Sequence, residues 1–140
     1  MRKRAIIDSG PLIALFDRDD EFHEAVCQLL RIFTGTLHST VAVLTEVTHL
    51  LDFSVKAQLD FLGWVRDGGI HLHEIGRDDL DRICELTKKY SDLPMDFADA
   101  SLMRVAERER IDDVISIDRD FYIYRKNDRY SLENLFKRDT

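Results

Sequence analysis

Short apolar runs alternate with longer amphipathic segments along the chain, and this alternation predicts its secondary structure. The run at residues 4–7 predicts a buried strand, and the runs at 36–38, 70–75 and 114–117 predict three more. Between them, apolar residues at helical spacing predict helices over residues 11–16, 21–33, 54–67, 78–90 and 96–108. Strands that alternate with helices form an α/β fold around a parallel sheet. The chain, 1–140, has the length of one such domain.

Residues 41–53 carry two conflicting signals. Val43 and Val47, with two threonines in the segment, favour a strand by propensity. The length without a turn residue and the four-residue spacing of the two valines favour a helix, capped by Ser39 or Thr40. We therefore expect a helix here.

The apolar stripes of the helices give the candidate core. The candidates in three successive helices are Leu59, Leu62 and Trp64, then Leu80, Ile83, Leu86 and Thr87, then Phe97, Ala98, Leu102, Val105 and Ala106. Cys27 and Cys84 fall in predicted helices without a C-x-x-C pattern, so we expect reduced core thiols and no disulfide. Near the end of the chain, the pattern predicts a short strand at Tyr130 and a helix over residues 131–137.

Composition and charge narrow the possible classes of protein. With 44% hydrophobic and 34% charged residues, the chain is typical of a folded globular protein. It has no apolar run long enough to span a bilayer, and its start lacks the apolar part of a signal peptide, so we expect a cytoplasmic protein without a membrane partner. The formal net charge of -7 argues against a broad basic surface for nucleic acid. A nucleic-acid enzyme still fits, because divalent cations can offset clustered acids locally.

Several acids fall where a parallel-sheet protein places its ligands. Asp8 and Asp118 each follow a predicted strand, and ligands of such folds bind outside the carboxyl ends of strands. Asp96 and Asp99 open a helix upstream of Asp118, on one face, although both are also good capping residues. Glu46 borders an apolar stripe, where it either reaches solvent or needs a partner. We expect the four aspartates to share one site, with helix capping as the alternative for Asp96 and Asp99.

His71 and His73 alternate along one predicted strand and therefore share a face. Such an H-x-H pair can bind a metal. An edge strand that exposes both histidines explains the same pattern, and we favour this second interpretation.

Four stretches, taken in order, resemble a known family. They are Ile6-Ile-Asp-Ser-Gly-Pro-Leu-Ile-Ala-Leu-Phe-Asp17, Glu46 in its helix, Leu93-Pro-Met-Asp-Phe-Ala-Asp-Ala-Ser-Leu102 and Ile115-Ser-Ile-Asp-Arg-Asp-Phe121. The set resembles the PIN-domain family of metal-dependent ribonucleases, especially the VapC-type toxins of bacterial and archaeal toxin–antitoxin pairs. No single stretch is specific, but together they span nearly the whole chain. The resemblance implies a three-layer α/β/α sandwich around a central parallel sheet of four or five strands.

The resemblance also implies a site and a reaction. Its catalytic acids would be Asp8, Glu46, Asp99 and Asp118, and the same four with Asp96 would hold metal. Mg²⁺ or Mn²⁺ suits carboxylate oxygens, and the sequence has no Cys/His cluster that suggests zinc. The implied reaction is hydrolysis of RNA phosphodiester bonds. The implied partners are an RNA substrate, a small antitoxin protein and a second copy of the chain in a homodimer.

Three neighbouring polar residues complete this implied site. Ser9 and Ser116 stand where the family commonly has Thr or Ser, so their hydroxyls are expected to bond a carboxylate or a metal-bound water. Asp120 lies in the matching Asp-Arg-Asp-Phe stretch, where it either joins the acids or caps a turn.

Two other functions fit part of the pattern. Aspartate-based phosphoryl transferases also place an acid after the first strand, but they usually need a second acid close to it, and Asp8-Ser-Gly-Pro11 has no D-x-D. A catalytically inactive or RNA-processing PIN-like domain that acts as a binding module is the other alternative. Degenerate relatives lose acids, and all four are present here, which favours an enzyme. These residues do not separate a toxin from a housekeeping RNA-processing role.

Overall fold

A central sheet of five parallel strands organises the protein, which the computed structural model describes over residues 2–137. The strands are β1 (Lys3–Ile7), β2 (Gly35–Thr40), β3 (His71–His73), β4 (Asp113–Ile115) and β5 (Glu133–Asn134), in the spatial order β3-β2-β1-β4-β5. All four neighbouring pairs are parallel. Of the expected domain 1–140, the first residue and the last three lie outside the described residues.

Helices cover both faces of this sheet. Successive residues of a strand point to opposite faces, and Ala5, Ile6 and Ile7 of β1 are nevertheless all fully buried. The helices are α1 (Ser9–Phe16), α2 (His23–Ile32), α3 (Val41–Leu50), α4 (Val55–Arg66), α5 (Arg77–Lys89) and α6 (Phe97–Glu109), with a short 3₁₀ helix, η1, at Arg119–Tyr122. The expected three-layer α/β/α sandwich with a parallel sheet is therefore confirmed.

The ambiguous segment after β2 is a helix, as expected. The hydroxyl of Thr40 accepts a hydrogen bond from the amide of Val43, which caps α3. Val43 and Val47 lie fully buried on its inner face. The hydroxyls of Thr45 and Thr48 donate to carbonyls four residues earlier, so these threonines are satisfied within the helix.

The buried face of α4 differs from the predicted one. Leu59 and Leu62 are exposed, and Phe61 is the fully buried residue of this helix. The ring of Phe61 packs edge-on against Phe16, with centroids 5.6 Å apart. Trp64 is half-buried, as expected for a near-core residue, and packs beside Phe16 as well. Apolar residues surround α4, so its sequence pattern could not select the inner face.

Several other predicted core positions are also exposed. Ile83, Leu86, Ala98, Leu102, Val105 and Ala106 are buried, as predicted. Leu80, Thr87 and Phe97 lie on the surface instead, because each sits at the edge of its apolar stripe. Cys84 is exposed and Cys27 is half-buried, so the prediction of two core thiols is wrong, although both cysteines are free, as expected.

The end of the chain forms a strand where a helix was predicted. The amide of Glu133 donates to Asp112 O at 2.9 Å, and the amide of Leu135 donates to Val114 O at 2.8 Å. These bonds add β5 to the open edge of β4 and override the helical spacing of residues 131–137. Tyr130 makes only an isolated antiparallel bridge with Lys126.

β3 lies at the other edge of the sheet, as predicted, but its histidines differ in exposure. His71 is exposed, whereas His73 is half-buried and its Nε2 lies 2.8 Å from Nδ1 of His38 on β2. His38 itself is buried, and its Nε2 lies 2.7 Å from the hydroxyl of Thr36. The expectation of two exposed histidines therefore holds for His71 alone.

Two glycines close α4. Gly68 has a φ of 101°, a conformation that L side chains rarely adopt. A Cβ on Gly69 would lie 2.3 Å from the Trp64 ring, so this position requires glycine. Among residues 2–137, none of the helices is both long and apolar enough to cross a membrane.

Candidate metal centre

The candidate site lies where the order of the strands reverses. From β1 the chain builds β2 and β3 on one side of the sheet, and then returns to place β4 and β5 on the other. In open α/β sheets, the crevice beside such a reversal is the usual ligand site. β1 and β4 are direct neighbours, and the amide of Asp8 donates to Ile115 O at 3.1 Å. The residues that follow these two strands are therefore held side by side.

Asp8 follows β1 and caps α1. Its Oδ1 accepts from the amide of Ser9 at 2.7 Å, and its Oδ2 accepts from the hydroxyl of Ser116 at 3.2 Å. The side chain is buried, with 5% of its surface exposed. Burial is the main cause that raises the pKa of Asp8 to about 7, and the charges of Glu46 and Asp118 act in the same direction. The carboxylate is thus placed where a cation would stabilise it.

Asp99 enters the site from the first turn of α6. Its amide donates to Oδ1 of Asp96, 2.8 Å away, so Asp96 is the helix cap that the alternative interpretation expected. The Asp99 carboxylate is buried and its Oδ2 lies 3.5 Å from the hydroxyl of Tyr124. Burial, followed by the charges of Asp8, Asp96 and Asp118, raises the pKa of Asp99 well above its usual range.

Asp118 is the exposed member of the group. Its Oδ1 accepts from the amide of Asp120 at 2.9 Å and caps η1. Its own amide donates to the hydroxyl of Ser116 at 2.9 Å. Ser116 therefore bridges Asp118 and Asp8, and its predicted hydrogen bond to a carboxylate is confirmed.

Glu46 lies on α3 and is half-buried, as its place at the edge of the apolar stripe indicated. Its Oε1 accepts a hydrogen bond from the hydroxyl of Ser9, which is the second predicted serine contact. The charge of Glu46 is one of the causes that raise the pKa of Asp8. The partner that this carboxylate was expected to need is thus Ser9, and Glu46 lies beside the other acids.

The carboxylates of Asp8, Asp99 and Asp118 converge. One oxygen from each lies within 4.8 Å of the other two. Glu46 and Asp96 lie next to this cluster, through Ser9 and Asp99 respectively. The candidate metal ligands are all carboxylate oxygens, which hard divalent cations prefer. Burial and mutual repulsion oppose the ionisation of Asp8 and Asp99, and a bound cation relieves both.

Asp120 does not belong to the converging group among residues 2–137. Its amide and carbonyl serve the turn of η1, since its amide bonds Asp118 and its carbonyl accepts from the amide of Ile123 at 2.9 Å. Burial and the charge of Asp118 raise the pKa of Asp120. Asp120 therefore lies within the turn of η1, but the side chain that caps this turn is that of Asp118.

Two residues of the site were not found from the sequence. Tyr124 and Asn134 are both buried and both lie in the chain that follows β4, where Tyr124 contacts Asp99 and Asn134 bonds the backbone of Ser116. Tyr124 follows the short helix η1, Asn134 lies in a strand that the sequence pattern did not predict, and each contact depends on the folded path of the chain. The sequence offered no signal for either role.

Known proteins resemble this chain over most of its length. The family model of the PIN domain matches residues 5–127. The chain is 28% identical over 116 residues to Ribonuclease VapC26 of Mycobacterium tuberculosis, which covers 81% of this chain and 86% of that protein.

Two solved structures share the fold. The crystal structure of Mycobacterium tuberculosis VapC20, a Sarcin-Ricin loop cleaving toxin, matches with a TM-score of 0.76 and 18% identity, over 83% of this chain and 91% of that one. The crystal structure of VapBC2 from Rickettsia felis bound to a DNA fragment from their promoter matches with a TM-score of 0.65 and 12% identity, over 94% and 98%.

Proposed function

This chain belongs to the PIN domain family, and on that premise we propose that it is an endoribonuclease that depends on Mg²⁺ or Mn²⁺. The observation that carries the proposal is the convergence of Asp8, Asp99 and Asp118, whose carboxylate oxygens lie within 4.8 Å of one another at the strand reversal. The similarity to Ribonuclease VapC26 supports RNA as the substrate.

Asp8, Asp99 and Asp118 would hold the cation, with Glu46 and Asp96 beside them. A divalent cation at this place supplies positive charge that stabilises a phosphate in its transition state and lowers the pKa of an attacking water. The surrounding side chains fix the ligands. Ser9 and Ser116 hold Glu46 and Asp8 by hydrogen bonds, so the carboxylates need little rearrangement when RNA binds.

At the rim of the site, one basic residue is placed to contact the phosphates of an RNA chain. Arg119 follows Asp118 directly and is exposed. Arg104, by contrast, donates to Asp79, and Arg125 donates to the carbonyls of Tyr122 and Ile123. We assign Arg119 to contacts with the RNA backbone, since a guanidinium beside the acids can offset phosphate charge that the acids repel.

We further propose that the ribonuclease is the toxin of a toxin–antitoxin pair, held inactive by a small antitoxin protein. The named relative and the fold of VapBC2 support this role. Leu59 and Leu62 leave an exposed apolar groove between α3 and α4, with a volume of about 370 Å³, that suits a partner helix. A homodimer is the second association proposed, and sedimentation of the purified chain tests it.

The decisive experiment compares the wild type with Asp99→Asn. Wild-type protein should cleave RNA only when Mg²⁺ or Mn²⁺ is present, and the cation should raise its melting temperature. Asp99→Asn should lose both responses, with cleavage reduced at least about 100-fold, because one ligand of the cation is gone. Its stability without metal should be equal or higher, because a neutral side chain replaces a buried, repelled carboxylate.

Two results would redirect the assignment. Cleavage that survives both Asp8→Asn and Asp99→Asn would contradict a metal-dependent nuclease at this site. RNA binding without cleavage by the metal-loaded wild type would favour the binding module instead. For the toxin role, wild-type expression should arrest growth, whereas expression of Asp99→Asn should not.

A further inference from the structure

We propose that Asn134 is a positioning residue of the metal centre, which holds Ser116 and, through it, the carboxylate of Asp8 and the backbone that carries Asp118. This inference rests on the proposed function, since it takes those carboxylates to be metal ligands. Asn134 lies in β5, beyond residues 5–127 that the family model matches. Part of the site is therefore built by a segment outside the matched domain.

The side chain of Asn134 forms hydrogen bonds with both the amide and the carbonyl of Ser116. Its Nδ2 donates to Ser116 O at 2.9 Å, and its Oδ1 accepts from the amide of Ser116 at 3.2 Å. The same Oδ1 accepts from the amide of Phe136 at 3.0 Å. Asn134 has 4% of its surface exposed, so water does not compete freely for these bonds. The carboxamide continues the β4–β5 pairing for one residue past Ile115, where the strand itself has ended.

Ser116 connects Asn134 to Asp8 and Asp118 through its hydroxyl. It is almost completely buried, and its hydroxyl has one proton to donate and lone pairs to accept with. The hydroxyl donates to Oδ2 of Asp8 at 3.2 Å, the shorter of its two acceptor distances, and accepts from the amide of Asp118 at 2.9 Å. A shift of the Ser116 backbone would therefore move the supports of both carboxylates together.

The backbone around Asn134 makes it a fixed anchor. The amides on either side of it, of Glu133 and Leu135, bond Asp112 O and Val114 O at 2.9 and 2.8 Å. Asn134 thus has a fixed position relative to β4 before its side chain reaches Ser116. In proteins, metal ligands are oriented by neighbouring groups that are themselves held rigidly and that form hydrogen bonds around the ligands.

The first test measures Mn²⁺ binding by calorimetry without RNA. Asn134→Leu removes both bonds to Ser116 at similar volume and should raise the Mn²⁺ dissociation constant roughly tenfold. Asn134→Asp keeps the acceptor for the Ser116 amide but sets a second oxygen against Ser116 O, so it should weaken Mn²⁺ binding as well. The control is Leu135→Ala, the neighbouring residue in the chain, which should stay within about twofold of wild type although it loosens the same segment.

The second test is a double-mutant cycle with Ser116→Ala, which removes the hydroxyl that holds Asp8. If Asn134 acts through Ser116, Asn134→Leu should weaken Mn²⁺ binding much less in the Ser116→Ala background than in the wild type. Circular dichroism and urea unfolding identify any variant that fails to fold. Should Asn134→Leu be such a variant, the same comparison is made with Asn134→Asp.

The outcomes separate this inference from the proposed function. Unchanged Mn²⁺ affinity in the Asn134 variants, or equal losses with and without the Ser116 hydroxyl, would overturn the positioning role, whatever the protein does to RNA. Wild-type protein that binds Mn²⁺ but cleaves no RNA would overturn the ribonuclease and leave the positioning role intact. A wild type that binds no Mn²⁺ would overturn both.

Discussion

The phenol oxygen of Tyr124, a fully buried residue, lies 3.5 Å from Oδ2 of Asp99. Burial and then the charge of Asp99 raise the pKa of Tyr124 above its usual range, so the phenol keeps its proton and donates it to the carboxylate. The ring is packed edge-on between Tyr90 and Phe121, at centroid distances of 5.0 and 5.1 Å. The contact therefore joins the chain after η1 to the first turn of α6.

Replacing Tyr124 by Phe should weaken the metal centre while keeping the fold. The ring contacts remain, but Asp99 loses a donor inside the protein, which should cost about 1 kcal/mol of the free energy of unfolding. Affinity for Mn²⁺ should fall by roughly tenfold, because the carboxylate is less well oriented. Urea unfolding and calorimetry measure the two effects. Tyr122→Phe, at a half-exposed ring, is the matched control and should change neither.

Stability without metal should decrease as pH rises through the titration of Asp8. The folded protein keeps a proton on Asp8 up to a pKa of about 7, whereas the unfolded chain releases it near pH 3.8. Between these values the folded state binds more protons, so a rise in pH favours unfolding. In Asp8→Asn this contribution is absent. Urea unfolding in EDTA from pH 5 to 8 should show a shallower pH dependence in the variant, and parallel curves would contradict the protonation of Asp8.

The titration of His38 should have the opposite effect, so that stability decreases as pH falls. Burial, followed by repulsion from His73, His71 and Arg4, lowers the pKa of His38 to about 4. As pH falls from about 6.5 towards 4, His38 binds a proton in the unfolded chain but not in the folded protein, so the free energy of unfolding decreases. The wild type should therefore lose more stability than His38→Gln between pH 7 and pH 5. Equal losses in the two proteins would show that His38 is protonated in the folded state.

The two sides of α4 should respond differently to truncation. Phe61→Ala should lower the free energy of unfolding by about 3–5 kcal/mol, because the fully buried ring leaves a cavity beside Phe16. Leu59→Ala should change it by less than about 0.5 kcal/mol, because that side chain is 62% exposed. Urea unfolding of both variants measures this contrast, and a large loss from Leu59→Ala would show that solvent does not surround it.

Much of the fold followed from local features of the sequence. The strand before Asp8 is one apolar run, and Asp96 caps α6 through its own side chain, so both could be recognised within a few residues. The proximity of Asp8 and Asp118 followed from one general rule about the ends of parallel strands. In each case the decisive interaction was either short in sequence or fixed by the topology of the sheet.

Features that depend on contacts between distant parts of the chain could not be predicted from the sequence. The inner face of α4 is chosen by Phe16, some forty residues earlier, because the helix has apolar residues on both sides. β5 forms because β4 offers an unpaired edge, although residues 131–137 have helical spacing. Tyr124 and Asn134 escaped prediction for the same reason, since their partners are set by the folded path of the chain.

The central place of β1 in the sheet has a consequence for the order of folding. During synthesis β1 emerges first, but its β4 partner, residues 113–115, is made more than one hundred residues later. Contacts between such distant segments form slowly, because the chain must first close a long loop. Asp8 and Asp118 come together only when these strands pair. A nascent chain that has not yet reached residue 118 therefore has no assembled cluster, so the acids can meet only late in synthesis.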